Sequence, residues 1–295
     1  MLVEGLCHAV RVATASPTVR QRRLANELAR LRDAAGLTIE QAAKAGGISG
    51  GHLSRVERAQ VRVRVPVVKS LLVSYGAGTA TIDHLAEVAQ QALQRGWWHQ
   101  YGSISERYAT YIGFETEATE IWSFDASTLP GLLQTEAYAR AMLESGAARY
   151  SAEEIADRVA VRLQRQAILT RDDQPPRAWF VLDEAAIRRE VGGRAILRAQ
   201  LKAIAEVAEL PHVDVQVLPF KVGAHPGSPG SFIVLRYDDP ATDPDVVYLE
   251  TMAGDLYPEG EDAIKGASLA FNRLRAMALG PDDSIAMIKQ AAEES

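Results

Sequence analysis

The sequence has only one cysteine, Cys7, among its 295 residues. A single cysteine cannot form a disulfide within the chain and cannot supply the several thiolates of a metal cluster. The six histidines do not occur in a ligand spacing such as H-x-x-x-H, and no acidic loop has the full calcium-binding pattern. The sequence therefore predicts no metal site and no cofactor, and its cysteine usage fits a reducing cytoplasm.

Long hydrophobic runs are also missing. No apolar stretch approaches the about 20 residues that cross a bilayer. Residues 1–15 end in small residues, as some export signals do, but Glu4, His8 and Arg11 interrupt the part that would have to be apolar. We therefore expect no membrane segment and no export, and we expect a cytoplasmic protein.

Charge is distributed unevenly along the chain. Residues 1–96 carry 13 Lys/Arg against 7 Asp/Glu, whereas residues 97–295 carry 19 against 31. The two parts have net charges of +6 and −12, which add to the overall −6. A basic part joined to an acidic part indicates that only the first meets a polyanion, although a chance difference between two domains explains the same numbers.

Five short helices are predicted in the basic part, with no strand pattern between them. Leu24, Leu28 and Leu31 recur at helical spacing, and Thr38 with Gln41 forms a capping box that begins a second helix. Glycine, which stops helices cheaply, follows several of the segments. The predicted helices span residues 19–36, 38–46, 49–59, 67–75 and 82–95.

The remainder of the chain alternates helical and strand patterns. It predicts helices at 97–111, 135–145, 151–171, 193–209, 260–279 and 282–293, and strands at 178–182, 213–218, 232–237 and 246–250. The predicted fold class is α+β, with an all-α five-helix N-terminal domain followed by a larger mixed α+β domain. The predicted boundaries are a disordered extension at 1–17, a helical domain at 18–95 and a mixed domain at 96–295.

The stretch Gly47–Gly51, GISGG, matches the G-x-S-x-G pattern of a hydrolase nucleophile elbow. That elbow requires a β-strand directly before the serine, and no strand pattern precedes residue 47. Histidines and acidic residues follow downstream, so the residue types of a catalytic triad are present in the sequence. A turn between two helices explains the same residues, because Gly47 can adopt the left-handed backbone that such a turn needs. We find no catalytic constellation and predict that the protein is not an enzyme.

The stretch 31–57, LRDAAGLTIEQAAKAGGISGGHLSRVE, resembles the helix-turn-helix of the lambda-repressor/Cro-like (Xre-type) regulators. The later part of the chain resembles the C-terminal domain, of unknown function, in a large actinobacterial family of such regulators. The segments that carry this second resemblance are RGWWHQY (95–101), LPGLLQTEAYARAML (129–143), RVAVRLQRQAILTR (158–171), WFVLDEAAIRREVGG (179–193), VQVLPFKVGAHPG (215–227), DVVYLET (245–251) and FNRLRAMAL (271–279).

The resemblance implies that the third helix enters the DNA major groove and that its N-terminal residues face the bases. Arg55 is the best candidate for base readout, since a guanidinium binds guanine O6 and N7 together; an ion pair with Glu57 or a phosphate contact is the alternative. We expect His52 to contact a phosphate; the alternative is that it only lies on the solvent-exposed side of its helix. The full set of predicted DNA-binding residues is Thr38, Ser49, Gly50, Gly51, His52, Ser54, Arg55, Arg58, Arg62 and Arg64.

Several positions depart from the family pattern. Ile39 stands where many members have glutamine, and Gly50 and Gly51 stand where side chains that form hydrogen bonds are common. Ala42 and Gly46 replace residues that are often leucine, which predicts a thin buried face for the second helix. Direct base readout should therefore be limited, with more left to phosphates and DNA shape.

Two features of the acidic part have alternative interpretations. Trp97, Trp98 and Tyr101 pack in a core or between domains, or they line a ligand pocket. The segment His225–Gly227 is a rigid turn or a functional loop.

The sequence thus predicts a transcriptional regulator that binds double-stranded DNA. The resemblance implies that the larger domain responds to a small partner protein encoded nearby or to an unknown ligand, and that the protein forms a homodimer. The alternative is an antitoxin-like interaction protein that mainly sequesters a small partner protein.

Overall fold

The computed structural model describes residues 17–93, 96–146, 148–238, 243–252, 254–258 and 260–295. The chain divides into two compact units, residues 1–100 and 101–295, which are described separately. The first is helical and the second combines helices with a sheet, so the predicted α+β class is confirmed. The predicted N-terminal extension lies outside the described residues, except for Pro17, which begins the first helix.

The N-terminal unit contains a run of helices at nearly the predicted positions. They are α1 (Pro17–Ala34), α2 (Ile39–Gly46), α3 (Gly50–Glu57), α4 (Val65–Ser74) and α5 (Thr79–Ala92), followed by a 3-10 turn at Trp97–Gln100.

Left-handed residues end the first four of these helices. Gly36, Gly47 and Gly76 have φ of 68°, 66° and 72°, and the residue after each donates its N–H back into the last turn of the helix. α3 ends in the same way, but with Ala59 at φ 55°. These turns let five short helices fold back on one another within a small domain.

A single apolar core joins these helices. It contains Leu28 of α1, Leu53 of α3 and Leu71 of α4, none of which has exposed surface. Gly46 of α2 approaches α4 so closely that a Cβ there would lie 2.8 Å from Leu71 Cδ2. Leu71 therefore occupies the space that a larger residue at position 46 would need, which explains how α2 packs despite its small buried face.

The C-terminal unit contains seven α-helices and six strands within its described residues. The helices are α6 (Glu106–Glu117), α7 (Glu136–Ser145), α8 (Ala152–Gln166), α9 (Glu184–Arg188), α10 (Arg194–Val207), α11 (Glu261–Met277) and α12 (Pro281–Glu294). The strands are β1 (Glu120–Asp125), β2 (Arg177–Asp183), β3 (Val213–Leu218), β4 (Phe232–Arg236), β5 (Val246–Thr251) and β6 (Gly254–Leu256).

The strands form one mixed sheet in the order β3-β2-β1-β4-β5-β6. β1, β2 and β3 are parallel, whereas β4 is antiparallel to β1 and β5 is antiparallel to β4. The central strand β1 is buried along Ile121 to Phe124, so helices cover both of its faces.

Aromatic contacts identify what covers each face. Trp122 of β1 stacks on Phe271 of α11, with ring centroids 5.2 Å apart. On the opposite face Tyr248 of β5 contacts Tyr111 of α6, with centroids 4.2 Å apart. Successive residues of a strand point to opposite faces, so α11 and α6 lie on the two sides of the sheet.

Three parts of the unit differ from the sequence-based expectation. The predicted helix 97–111 is wrong: a 3-10 turn ends at Gln100, and α6 starts after Ser105, whose hydroxyl caps it. The strands β1 and β6 and the short helix α9 were not predicted. β1 carries Ile121, Trp122 and Phe124, a strand-like composition, but it follows α6 almost directly and has no turn residue before it.

Asp125 ends β1 and is half-buried. Its Oδ2 accepts a hydrogen bond from the Ser123 hydroxyl at 2.6 Å. Burial raises the pKa of Asp125 to about 7, against the lowering effect of the Ser123 bond, and the Glu250 carboxylate raises it further. The folded state therefore holds this proton more tightly than the unfolded chain does.

We expect Asp125 to make wild-type stability fall as pH rises from about 4 to about 7 and to have no further effect above that. Asp125→Asn keeps a hydrogen-bond acceptor for Ser123 and cannot ionise. Relative to wild type, the variant should gain about 2 kcal/mol in unfolding free energy between pH 5 and pH 8. Urea unfolding followed by tryptophan fluorescence measures this, because Trp122 and Trp179 lie in the same sheet. A difference between variant and wild type that stays constant with pH would contradict the prediction.

Candidate nucleic-acid interface

The segment from α2 to α3 has the geometry of a helix-turn-helix. Thr38 caps α2: its hydroxyl accepts from Gln41 N–H at 3.3 Å, and the Gln41 side chain accepts from Thr38 N–H at 2.9 Å. Gly47 is left-handed, and Ile48 N–H donates to Ala43 O at 3.0 Å, which closes the turn. The capping box and the left-handed glycine are thus confirmed at the predicted residues.

Ser49 begins α3, where its hydroxyl accepts from His52 N–H at 3.2 Å. Leu53 and Val56 point inward and are buried. Gly51, Arg55 and Arg58 occur four and three residues apart, so they lie on one exposed face of the helix. We call this face, defined by these three residues, the α3 stripe.

An ion pair fixes the far end of α3. Arg32, in the last turn of α1, donates from Nε and Nη2 to the two carboxylate oxygens of Glu57 at 2.7 and 2.8 Å. The side chains are only 12% and 7% exposed, and Arg32 also bonds the Leu37 carbonyl at 3.0 Å. These bonds raise the pKa of the Arg32 guanidinium above its usual range. Glu57 is therefore engaged by Arg32, and the alternative in which it pairs with Arg55 is wrong.

Gly50 differs from its predicted groove-facing position, because it is buried. The Glu40 carboxylate of α2 covers it: a Cβ built on Gly50 would lie 2.0 Å from Glu40 Oε1. The absence of a side chain at Gly50 lets this carboxylate lie against the first turn of α3. Sequence reasoning missed Glu40, since nothing in the local pattern shows that the beginnings of α2 and α3 meet.

The other predicted DNA-binding residues have at least part of their surface open. Those that are exposed are Thr38, Ser49, Gly51, Arg55, Arg58, Arg62 and Arg64, and those that are half-buried are His52 and Ser54. The structure brings Gly51, Arg55 and Arg58 together on the α3 stripe. Arg62 and Arg64 follow in the connection to α4, and Thr38 lies at the start of α2.

Arg55, Arg58, Arg62 and Arg64 have no acidic partners among the described residues. Arg55 Nε donates to Gly51 O at 3.4 Å and Arg58 Nε donates to Ser54 O at 3.1 Å, so both side chains lie along the axis of their own helix. No carboxylate in the described ranges forms an ion pair with Arg55, Arg58, Arg62 or Arg64. Their remaining N–H groups are available to an anion.

Two other features bear on the kind of site the protein carries. Among the described residues, no group of three or more His, Cys, Asp or Glu side chains is placed to hold a metal ion. None of the described helices combines the length and the apolar character that crossing a bilayer requires.

Comparison with known families identifies the N-terminal unit first. Residues 23–85 match a helix-turn-helix domain, which is typical of DNA-binding regulators. Residues 108–290 match a domain of unknown function, DUF5753. This match covers more than half of the chain, and the protein therefore belongs to the DUF5753 family. The combination is consistent with an Xre-like helix-turn-helix regulator that carries a C-terminal domain of unknown function. Comparisons with curated proteins and with solved structures gave no match.

Replacing two glycines by alanine tests the assignment of the turn: Gly47 lies in the turn and Gly51 lies in helix α3. A Cβ on Gly47 or on Gly51 would meet no atom within 4 Å, so packing does not distinguish the sites. Gly47→Ala should cost about 1 kcal/mol, because alanine is strained at a positive φ. Gly51→Ala should stabilise the protein by about 0.5–1 kcal/mol, because alanine is the better helix former. Urea unfolding followed by circular dichroism measures both; equal effects of the same sign would contradict the assignment of the turn.

The Arg32–Glu57 pair is expected to hold α3 in place. Arg32→Gln and Glu57→Gln should each cost about 2 kcal/mol, and the double variant should cost clearly less than the sum. Arg30→Gln is the matched control, since Arg30 pairs with Glu27 on the surface of the same helix, and we expect no measurable loss. Hydrogen exchange of the α3 amides should accelerate in the two single variants. Additive effects in the double variant would show that the pair does not couple α1 to α3.

Proposed function

We propose that the protein is a sequence-specific transcriptional regulator whose α3 binds in the major groove of double-stranded DNA. The observation that carries this proposal is the α3 stripe: Arg55 and Arg58 are exposed on one face and have no acidic partner among the described residues. The helix-turn-helix match and the net charge of +6 over residues 1–96 support it.

Base readout falls to Arg55, whose guanidinium can bind guanine O6 and N7 in the groove. Arg58, Arg62 and Arg64 neutralise phosphates on the flanks of the site. The smaller polar groups contact phosphate or base edges as the backbone approaches. These groups are Thr38, Ser49, His52 and Ser54, and Gly51 permits the close approach of α3.

Glu40 gives this surface an opposing charge. Its carboxylate lies at the first turn of α3, beside the surface that would face the groove. It repels phosphates in any register, so it weakens binding to DNA of every sequence. A carboxylate can also accept from the cytosine N4 amino group, so it favours sequences that place a cytosine there.

The domain roles follow from the same proposal. Residues 18–95 bind DNA, and residues 96–295 bind a partner or ligand and form the homodimer. The protein acts in the cytoplasm by binding and not by catalysis. The proposal that the protein binds a partner rests on the family resemblance, and so does the alternative of an antitoxin-like protein. Co-purification with a small protein encoded nearby tests this binding.

A mobility-shift titration on the DNA upstream of the gene tests the proposal. Arg55→Gln should weaken specific binding by about 10-fold or more, which corresponds to the loss of one bidentate base contact. Arg58→Gln should weaken specific and random DNA alike, and should reduce the slope of log affinity against log salt by about 1. Glu40→Gln should strengthen binding to random DNA.

Arg194→Gln is the control for net charge, because Arg194 is exposed, pairs with Glu190 and lies in the C-terminal unit. It should leave DNA affinity unchanged. The proposal fails if wild-type protein binds no DNA at low salt, or if Arg55→Gln and Arg194→Gln have the same effect.

A further inference from the structure

Helix α8 carries three arginines on one face, Arg158, Arg162 and Arg165, spaced four and three residues apart. Only Arg165 has an acidic partner. Its Nε and Nη2 donate to the two carboxylate oxygens of Glu115 at 2.7 Å each, and both side chains are almost completely buried. The charge of Arg165 is therefore compensated within the fold.

Arg158 and Arg162 have neutral partners instead. Arg158 Nη2 donates to the Ser103 carbonyl at 2.6 Å, and Arg162 Nη1 donates to Gln134 Oε1 at 2.8 Å. Neither forms an ion pair with any carboxylate in the described part of the chain. The Nε–H of each is buried and has no hydrogen-bond partner there. The Arg158 guanidinium also lies over the Tyr150 ring, with Cζ 4.1 Å from the ring centroid. Two half-buried guanidinium groups thus have no carboxylate within ion-pair distance.

The nearest carboxylate along the helix is used elsewhere. Glu154 lies one turn before Arg158, the usual spacing for an ion pair. Its Oε2 instead accepts from Ser151 N–H at 2.7 Å in the capping box that begins α8. The Ser151 hydrogen bonds, and to a smaller extent the Arg158 charge, lower the pKa of Glu154, so Arg158 attracts this carboxylate but forms no ion pair with it.

Other groups that favour an anion lie beside these arginines. The Ser103 hydroxyl oxygen is buried without a partner among the described residues, next to the carbonyl that Arg158 binds. Helix α6 begins a few residues later, and the Tyr108 hydroxyl in its first turn accepts from Arg165 Nη1. The first turn of α6, which also carries Glu106, is therefore connected to the same face of α8 through Tyr108.

Half-buried guanidinium groups without an ion-pair partner are costly, and so are buried N–H and O–H groups without hydrogen-bond partners. These groups occur together within residues 97–295, whose net charge is −12. Because acidic residues are abundant in this part of the chain, their scarcity does not explain why Arg158 and Arg162 form no ion pair. We propose that Arg158, Arg162 and Ser103 bind the phosphate group of a small ligand. A phosphate dianion matches two guanidinium charges, and its oxygens accept from arginine N–H groups and from a hydroxyl.

This site is the ligand site of the regulator proposed above, so its effect on DNA binding rests on that proposed function. The binding of phosphate does not rest on the proposed function, because it is measured on the full chain without DNA. Failure of the phosphate site and failure of DNA binding are therefore separate results.

Isothermal titration of the full chain with inorganic phosphate at pH 8, at constant ionic strength, tests the site. We expect wild-type protein to bind with a Kd on the order of 1 mM, as suits so small a ligand. Arg158→Gln and Arg162→Gln should weaken binding at least about 10-fold. Arg162→Lys should retain part of the affinity for phosphate, because lysine keeps the positive charge but lacks the paired N–H donors of the guanidinium group.

Arg194→Gln is the matched control, since it removes an exposed arginine of the same unit and should leave the Kd unchanged. Ser103→Ala, the smallest change, should weaken binding a few-fold and supplies the test if an arginine variant does not fold. The proposal is overturned if phosphate does not bind, if the variants bind it as wild type does, or if acetate at the same concentration binds equally well.

Discussion

The position of α3 depends on the ion pair between Arg32 and Glu57. A helix of eight residues with two glycines in its first turn is not stable alone, because helix nucleation is costly and glycine favours the unfolded chain. Its buried residues Leu53 and Val56 pack it into the apolar core, and the turn at Gly47 sets where it begins. The two parallel hydrogen bonds from Arg32 tie its last turn to α1 and thereby set the direction of its exposed face.

Small residues make the rest of this geometry possible, each for a different reason. Gly47 supplies the backbone conformation of the turn, Gly46 admits Leu71 of the facing helix, and Gly50 admits the Glu40 carboxylate. From the sequence alone, Gly50 and Gly51 are both expected to leave the DNA-facing surface without side chains. Gly50 belongs to the interior, and only Gly51 leaves the stripe without a side chain.

The C-terminal unit distributes its charges in a similar way. On α8, Arg165 is neutralised by Glu115, whereas Arg158 and Arg162 bond only neutral groups. The first arrangement joins α6 to α8 through a buried ion pair. The second leaves positive charge half-buried next to the start of α6, which is why we assign ligand binding to this face and not to the aromatic residues at 97–101.

The sequence by itself determined the local features: the five N-terminal helices, the Thr38–Gln41 capping box, the left-handed turn at Gly47 and most of the strands. Each of these depends on residues within a few positions of one another, so periodicity, caps and glycines suffice to predict them. It did not determine the contacts between distant residues. Arg32 meets Glu57 and Glu40 meets Gly50 only because the helices fold back on one another, and no local pattern encodes the partner. The tertiary structure alone decided which charges are paired, and hence which arginines remain open to an anion.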